Sequence, residues 1–350
     1  MSRRPLCDPC CFLRLRFAFL VLCSASVLCC PALVSRLAAQ FGDGTAPTEA
    51  LKKTTSSEEA PAVESLASAK HRWQVGLRIT AVGGPCQALV GTLPVPTKWP
   101  GQTVRIVEED IAPTITNVRY RNVDGGVKQM VVKIAKLRAN QTAHALITVE
   151  IDRQQLAPPE NPESLLLPEK LDRKLRKYLA ASPYIEVRHP EIRKLAKKVY
   201  DDSVPMWNRV EKIYDHVREI VKYKNGNLKG ALAALRDGDG DCEELTSLFV
   251  ALCRCNGIPS RTVWVPDHCY PEFYLEDTDG NGRWYPCQAA GARSFGTMPD
   301  MRPVLQKGDS FKVPEKKERQ RYVSEFLTGA TRKGGGKPRV RFVRQELGDS

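Results

Sequence analysis

The chain is read as an α+β protein: a small all-β domain followed by a domain in which helices come first and antiparallel strands follow. Three patterns lead there. Hydrophobic residues alternate with period two over about 71–155 and recur with helical spacing from about Lys170. After Cys242 one further helical stripe gives way to strand-like runs. Helices and strands segregated in this way mark α+β architecture rather than alternating α/β.

Taken in order, Trp73, Val75, Leu77 and Ile79 alternate with polar neighbours, as do Ala145, Ile147, Val149 and Ile151. Asp124, Gly125 and Gly126 mark a turn between two strand-like runs. Residues 71–155 therefore form a small antiparallel sandwich or barrel, closed by Pro158, Pro159 and Pro162. Leu171, Leu175, Tyr178 and Leu179 share a helical face; Ile192, Leu195, Ala196 and Val199 share another. Val210, Ile213, Tyr214, Val217 and Val221 make a third after Pro205. The chain then divides into 1–39 (targeting), 40–70 (a linker rich in Ala, Ser, Thr and Glu), 71–155 (β domain), 156–310 (α+β domain) and 311–350. The last is a charged, basic extension with Gly334, Gly335 and Gly336, expected to be partly disordered.

At 350 residues, 42% hydrophobic and 27% charged, the composition is that of an ordinary globular protein large enough for two cores. The net charge of +13 includes five arginines and one aspartate in residues 1–39, so the remainder carries +9. No basic stripe interleaved with exposed aromatics accompanies it, and nucleic acid is not expected as a partner. Arg3, Arg4, Arg14 and Arg16 precede an uncharged run from Phe17 to Val34, and small residues follow at Ala38 and Ala39. This is the pattern of a secretory signal, or of an uncleaved membrane tether through 17–34. Either places the folded part outside the cytoplasm. Six of the 12 cysteines lie in that segment; Cys86, Cys242, Cys253, Cys255, Cys269 and Cys287 remain. If one of these is a free nucleophile, an odd number is left, which argues against a full disulfide framework.

The chemistry concentrates in residues 240–288. Leu245, Leu248, Phe249 and Leu252 follow Cys242 on one buried helical stripe, ended by Gly257, Ile258 and Pro259. Cys242 thus opens a helix, where orphan N–H groups and the macrodipole favour a thiolate and can contribute to an oxyanion hole. His268 opens a strand on the face opposite Phe273 and Leu275. A bulged turn over 277–282 would set residue 288 opposite 268 and 287 opposite 269. Gln288 could then orient the imidazole, and Cys269 and Cys287, if directly opposite, could pair as a disulfide. Glu272, four residues along the same strand face, is the second candidate for the orienting group.

Metal sets are not expected. Asp277, Asp279, Asn281 and Gly282 match the first half of a calcium loop, but its twelfth position is Gln288; the run from Asp237 to Asp241 has Leu248 there. Cys253 and Cys255 point to different sides of a helix, so with His268 and Cys269 they make a poor zinc set. No cofactor is implied.

These residues resemble the transglutaminase-like superfamily of papain-like folds, in its secreted bacterial form. That family shows Gly-x-Cys, an apolar helix, Arg-x-x-Gly-Ile-Pro-x-Arg, a strand, His-x-x-x-Glu and Trp-x-x-x-Asp. The chain carries Gly240 and Cys242; Arg254, Gly257, Ile258, Pro259 and Arg261; His268 and Glu272; and Trp284 and Gln288. The resemblance is strong over about 200–300 and looser over 160–240. It implies helices packed on an antiparallel sheet behind a β-rich domain, Cys242 as nucleophile, His268 as base, and a protein or peptide substrate. The departure is Gln288, where most members have Asp; an amide orients an imidazole but does not neutralise an imidazolium. The resulting expectation is a thiol-dependent acyl-transfer enzyme acting on peptide or isopeptide carboxamides, a hydrolase rather than a transamidase. The alternative is a non-catalytic peptide- or envelope-binding module with a degenerate triad.

Overall fold

The computed structural model describes residues 66–330 and 335–348. The expected targeting segment, 1–39, and most of the linker, 40–70, lie outside the described residues.

Six strands open the fold: β1 Ser68–Val82, β2 Cys86–Val95, β3 Gln102–Ile111, β4 Asn117–Asn122, β5 Lys128–Leu137 and β6 Thr142–Gln154. Five helices and six strands follow: α1 Arg173–Arg176, α2 Pro190–Val199, α3 Met206–Ile220, β7 Lys222–Tyr223, α4 Ala231–Asp237, β8 Asp239–Gly240, α5 Cys242–Cys255, β9 Ser260–Val265, β10 His268–Glu276, β11 Gly282–Pro286 and β12 Gln306–Lys307. The chain ends in β13 Phe326–Ala330 and β14 Lys337–Leu347.

The β domain is a sandwich of two four-stranded antiparallel sheets, ordered β14-β1-β6-β3 and β13-β2-β5-β4. Its core holds the inward residues of β1 (Trp73, Val75, Leu77, Ile79) and of β6 (Ala145, Ile147, Val149, Ile151) against Leu89, Leu93, Met130, Val132 and Ile134. One strand in each sheet comes from the expected basic extension. Lys337 to Leu347 pair with residues 72–82 of β1, from Val82↔Lys337 to Arg72↔Leu347, and β13 pairs with β2. Among its described residues the region 311–350 thus supplies two strands of the sandwich, Phe326–Ala330 and Lys337–Leu347. The charge of Arg339 and Arg341 disguised the second: on a strand at the edge of a sheet, these exposed cations alternate with Val340 and Phe342, which pack against the core.

In the second domain α5 lies across β9 and β10 of the sheet β11-β10-β9-β12, with α2, α3 and α4 packed around it. The core joins Val210, Ile213, Tyr214 and Val217 of α3 to Leu245, Leu248, Phe249 and Leu252 of α5 and to Phe273 and Leu275 of β10. Trp207 stands edge-on to Phe273, Tyr285 and Phe295 at 4.9–5.6 Å between ring centroids. The helical stripe expected from Leu171 to Leu179 is only the single turn α1 and a 3-10 turn over Lys177–Leu179. The extended backbone at Ala180 ends it there.

Three buried ion pairs tie this domain together. Arg254, in the last turn of α5, donates to Asp309 at 2.8 and 2.9 Å and to the Ser260 carbonyl. Arg261 on β9 donates to Glu272 on β10 at 2.8 and 3.0 Å, and Lys307 Nζ reaches the other Glu272 oxygen at 2.5 Å. Both arginines of the Arg-x-x-Gly-Ile-Pro-x-Arg stretch therefore act as structural ties.

Candidate active site

Cys242 is the first residue of α5. Asp241 precedes it as N-cap and accepts from the Glu243 N–H at 2.8 Å, while Glu244 reaches back to the Asp241 N–H at 3.3 Å, completing a capping box. Glu244 also accepts from the N–H groups of Lys229 and Gly230, at 2.9 and 3.3 Å. Those backbone donors help hold its carboxyl below the usual range in spite of burial. Asp241, partly buried beside that carboxylate, is pushed up to about 7. The requirement for Gly240 is steric: a Cβ there would stand 2.4 Å from the Glu244 Cβ. The cap that presents Cys242 and the glycine two residues before it are thus one device.

His268 is delivered by the tight turn between β9 and β10. Only Pro266 and Asp267 intervene between the paired residues Val265 and His268. Asp267 takes φ +54° to close it, a conformation that Asp tolerates better than most residues.

Gln288 follows β11. Its N–H donates to the Ser294 carbonyl at 2.8 Å, and its own carbonyl accepts from Tyr214 Oη and Arg218 Nη1, each at 2.9 Å. With its backbone held from three sides, the side chain brings Oε1 to 3.2 Å from His268 Nε2. The other ring nitrogen, Nδ1, is left for the thiol, and Cys242 and His268 each shift the other's ionisation.

The Cys242 thiol is lowered to about 4. Its strongest support is a hydrogen bond from the Cys269 thiol, followed by that from His268; burial works against both. For His268 burial opposes the charged form, but the bonds to Cys242 and Gln288 and the thiolate's charge outweigh it and raise the pKa. An ion pair of thiolate and imidazolium is the resting arrangement these contacts favour.

Cys242, His268 and Gln288 are brought together. Glu272 is not: it is 1% exposed, fully engaged by Arg261 and Lys307, and turned into the sheet's interior. The hairpin register also differs from the expected one. Glu272 pairs with Pro286 and Phe273 with Tyr285, so the frame is shifted by two residues and Gln288 reaches His268 diagonally. Cys269 and Cys287 are accordingly not opposite each other, and both are free thiols. The Cys287 N–H donates to the Pro271 carbonyl, while Cys269 points at α5. Asp277, drawn above as a calcium ligand, accepts from the Asp279 and Asn281 N–H groups at 3.0 and 2.8 Å and caps the hairpin turn.

Two features of the site had escaped notice. Cys269 lies under the nucleophile; its alternation against His268 on β10 was the available signal. The other is a strap, residues 320–324, fixed where the Gln306 amide bonds both backbone groups of Val323. Arg321 of the strap pairs with Glu243, beside the nucleophile, and stacks its guanidinium on Trp264 at 4.7 Å. Tyr322 stands edge-on to Trp264 and accepts from Arg344 of β14 at 3.1 Å. Cys242 and His268 open into a cleft of about 790 Å³ that these residues wall on one side and Tyr223, Asn225 and Asp267 on another.

Comparison with known proteins bears on the fold that carries these residues. Residues 193–289 match the family model of the transglutaminase-like superfamily. No curated protein sequence matches significantly. Among solved structures the chain is similar to a candidate cysteine protease from Cytophaga hutchinsonii. The identity is 17% and the TM-score 0.50, over 81% of this chain and 94% of that one. At that identity the likeness speaks for the fold. The periplasmic domain of TgpA from Pseudomonas aeruginosa, solved bound to ethylmercury, matches at 11% identity and a TM-score of 0.31, over 61% of this chain and 88% of that one. A score that low carries no argument.

Proposed function

The chain carries a transglutaminase-like, papain-like core at residues 193–289, and from that premise we propose that it is a thiol-dependent acyl-transfer enzyme acting on peptide or isopeptide carboxamides outside the cytoplasm. Cys242 is the nucleophile, His268 the acid and base, and Gln288 the residue that orients His268. The observation that carries the reading is His268 between two partners, with Nε2 at 3.2 Å from Gln288 and the other face toward a thiol lowered to about 4.

The steps follow from that arrangement. The Cys242 thiolate attacks the carboxamide carbonyl, and the oxyanion develops near the N-terminus of α5. His268 gives its proton to the departing amine, leaving a thioester on Cys242. It then takes a proton from the group that attacks the thioester. The cleft opens to solvent between polar groups such as Asp241, Asn225 and Asp267 and apolar ones such as Trp73, Trp264 and Leu305, so water reaches the thioester, which supports hydrolysis. The uncharged run from Phe17 to Val34 behind basic residues supports export or tethering.

The test is to trap the acyl-enzyme. After incubation with p-nitrophenyl acetate and an acid quench, mass mapping is expected to find one acetyl thioester, on Cys242 and removable by hydroxylamine. Cys242→Ala should lose it, and His268→Ala should form it at least tenfold more slowly. Acylation spread over several cysteines, or none, would sink the reading. A neutral Gln288 where most relatives carry Asp favours the competing reading, a peptide-binding module without turnover. In that case Cys242 acylates and the thioester persists.

A further inference from the structure

We infer that Cys242 and Cys269 form a reversible disulfide within the cleft, so that hydroperoxides are a second class of reactant for this thiol and Cys269 is the residue that resolves its oxidation. The inference rests on Cys242 being the reactive thiolate of the proposed function, but not on acyl transfer.

The geometry is that of two neighbouring elements meeting. Cys269 is the second residue of β10 and is 1% exposed. Its Sγ lies 3.8 Å from Thr246 Oγ1, and Thr246 is one helical turn along α5 from Cys242, on the same face. The Cys269 thiol therefore sits beneath the first turn of α5, on the side that carries Cys242, and each thiol shifts the other's ionisation. Both are free. From that placement an S–S bond of about 2.05 Å would join side chains of two elements, α5 and β10, that already pack on each other. Cys242 faces the cleft and meets solutes; Cys269 does not. The other described cysteines are engaged elsewhere: Cys253 is buried in the α5 core, Cys287 stands beside the Pro271 carbonyl, Cys255 donates to the Val187 carbonyl, and Cys86 to that of Gly336.

The chemistry balances with the groups present. The Cys242 thiolate attacks one oxygen of a hydroperoxide, ROOH, and the O–O bond breaks. Cys242 becomes a sulfenic acid, and the departing alkoxide takes the His268 proton to leave as ROH. The Cys269 sulfur then attacks the sulfenic sulfur. The S–O bond breaks, and the hydroxide leaves as water with the proton Cys269 gives up, His268 serving as its carrier. Two thiols are oxidised by two electrons and the peroxide is reduced. Without Cys269 the sulfenic acid would stay open to a second peroxide and pass irreversibly to sulfinic acid.

The experiment treats the full chain with hydrogen peroxide near equimolar, then maps it by non-reducing digestion and mass spectrometry. The expected result is a linked pair of peptides holding Cys242 and Cys269. Iodoacetamide uptake at Cys242 should fall at least tenfold and return with dithiothreitol. In Cys269→Ser, which keeps a hydrogen-bond donor, several equivalents of peroxide should carry Cys242 on to sulfinic acid, and dithiothreitol should not restore it, whereas the parent at the same excess should be restored. Sulfinic acid at Cys242 of the unmodified protein without the link would overturn the inference, as would recovery of Cys269→Ser equal to that of the parent. Should that variant not fold, the link map of the parent decides alone. A protein that forms the link yet acylates nowhere keeps this inference and loses the proposed function.

Discussion

His268 Nε2 and Gln288 Oε1 stand 3.2 Å apart, although β10 and β11, the strand that leads to Gln288, pair two residues out of the frame that would set these positions face to face. The reach is made possible by anchoring the Gln288 backbone, not by strand pairing: Tyr214, Arg218 and Ser294 hold it on three sides. An amide here fixes the ring and its tautomer without adding negative charge. Gln288→Ala should therefore lower kcat/KM by about 10–100-fold, near 1.4–2.7 kcal/mol, through loss of orientation. Gln288→Asp should keep orientation and hold the His268 proton to higher pH. An Ala variant as active as the parent would remove Gln288 from the site.

The pH profile follows from the two shifts. Cys242 ionises near 4, so the reactive ion pair assembles as pH rises through that value. It is lost when His268, raised above its ordinary 6.5, gives up its proton. Acylation should be bell-shaped, with its acid limb near 4 and its alkaline limb above 6.5. His268→Ala removes a hydrogen bond and a positive charge from the thiolate, so its iodoacetamide midpoint must move up toward an ordinary thiol. Cys269→Ala should move it the same way, because the thiol of Cys269 is the strongest single support of the thiolate. The measurement is alkylation rate against pH, with Cys269→Ser expected to stay near the parent.

What was legible in the sequence was what is local. Cys242 could be placed at a helix start because its apolar stripe and the glycine at 257 that ends it both follow within a few turns of chain. His268 and Gln288 were legible as strand positions near a turn, though not their register, since the turn geometry and not the side-chain pattern sets the frame. Glu272 read as an orienting carboxylate because its partner Lys307 arrives from 35 residues downstream, and nothing local announces a buried cation. β14 read as a charged tail for the same reason. Its partner strand lies at the other end of the chain, and an edge strand carries its charge on the wet face.

The pair Arg254–Asp309 makes a sharper stability test than any surface bridge, since both side chains are at most 4% exposed. Asp309 also accepts from the Thr262 N–H at 3.2 Å, joining α5 to β9. Removing one partner strands a buried charge: Asp309→Ala should cost about 3–5 kcal/mol, seen as a lower urea midpoint. Arg254→Met with Asp309→Leu should recover part of that loss, because neither charge is then left alone. A loss under about 1 kcal/mol for Asp309→Ala would mean the guanidinium finds water.

β14 is expected to be indispensable to the sandwich and, through it, to the cleft. It covers β1 along eleven residue pairs, from Arg72↔Leu347 to Val82↔Lys337, and supplies Arg344, which donates to Tyr322 of the strap. Truncation after residue 336 would bare the β1 backbone along an edge whose inward residues are Val75, Leu77 and Ile79. The expected product is aggregated, or has lost cooperative unfolding. A milder change separates the two roles. Phe342→Ala should cost about 1–3 kcal/mol of stability with little effect on alkylation of Cys242. Arg344→Ala should cost little stability, since its Glu325 partner is not deeply buried. It should instead loosen the strap, read as faster proteolysis within 318–325 and a change in KM. If truncated protein stayed soluble, with a sharp melt and the parent's Cys242 reactivity, β14 would be an ornament on a sandwich complete without it.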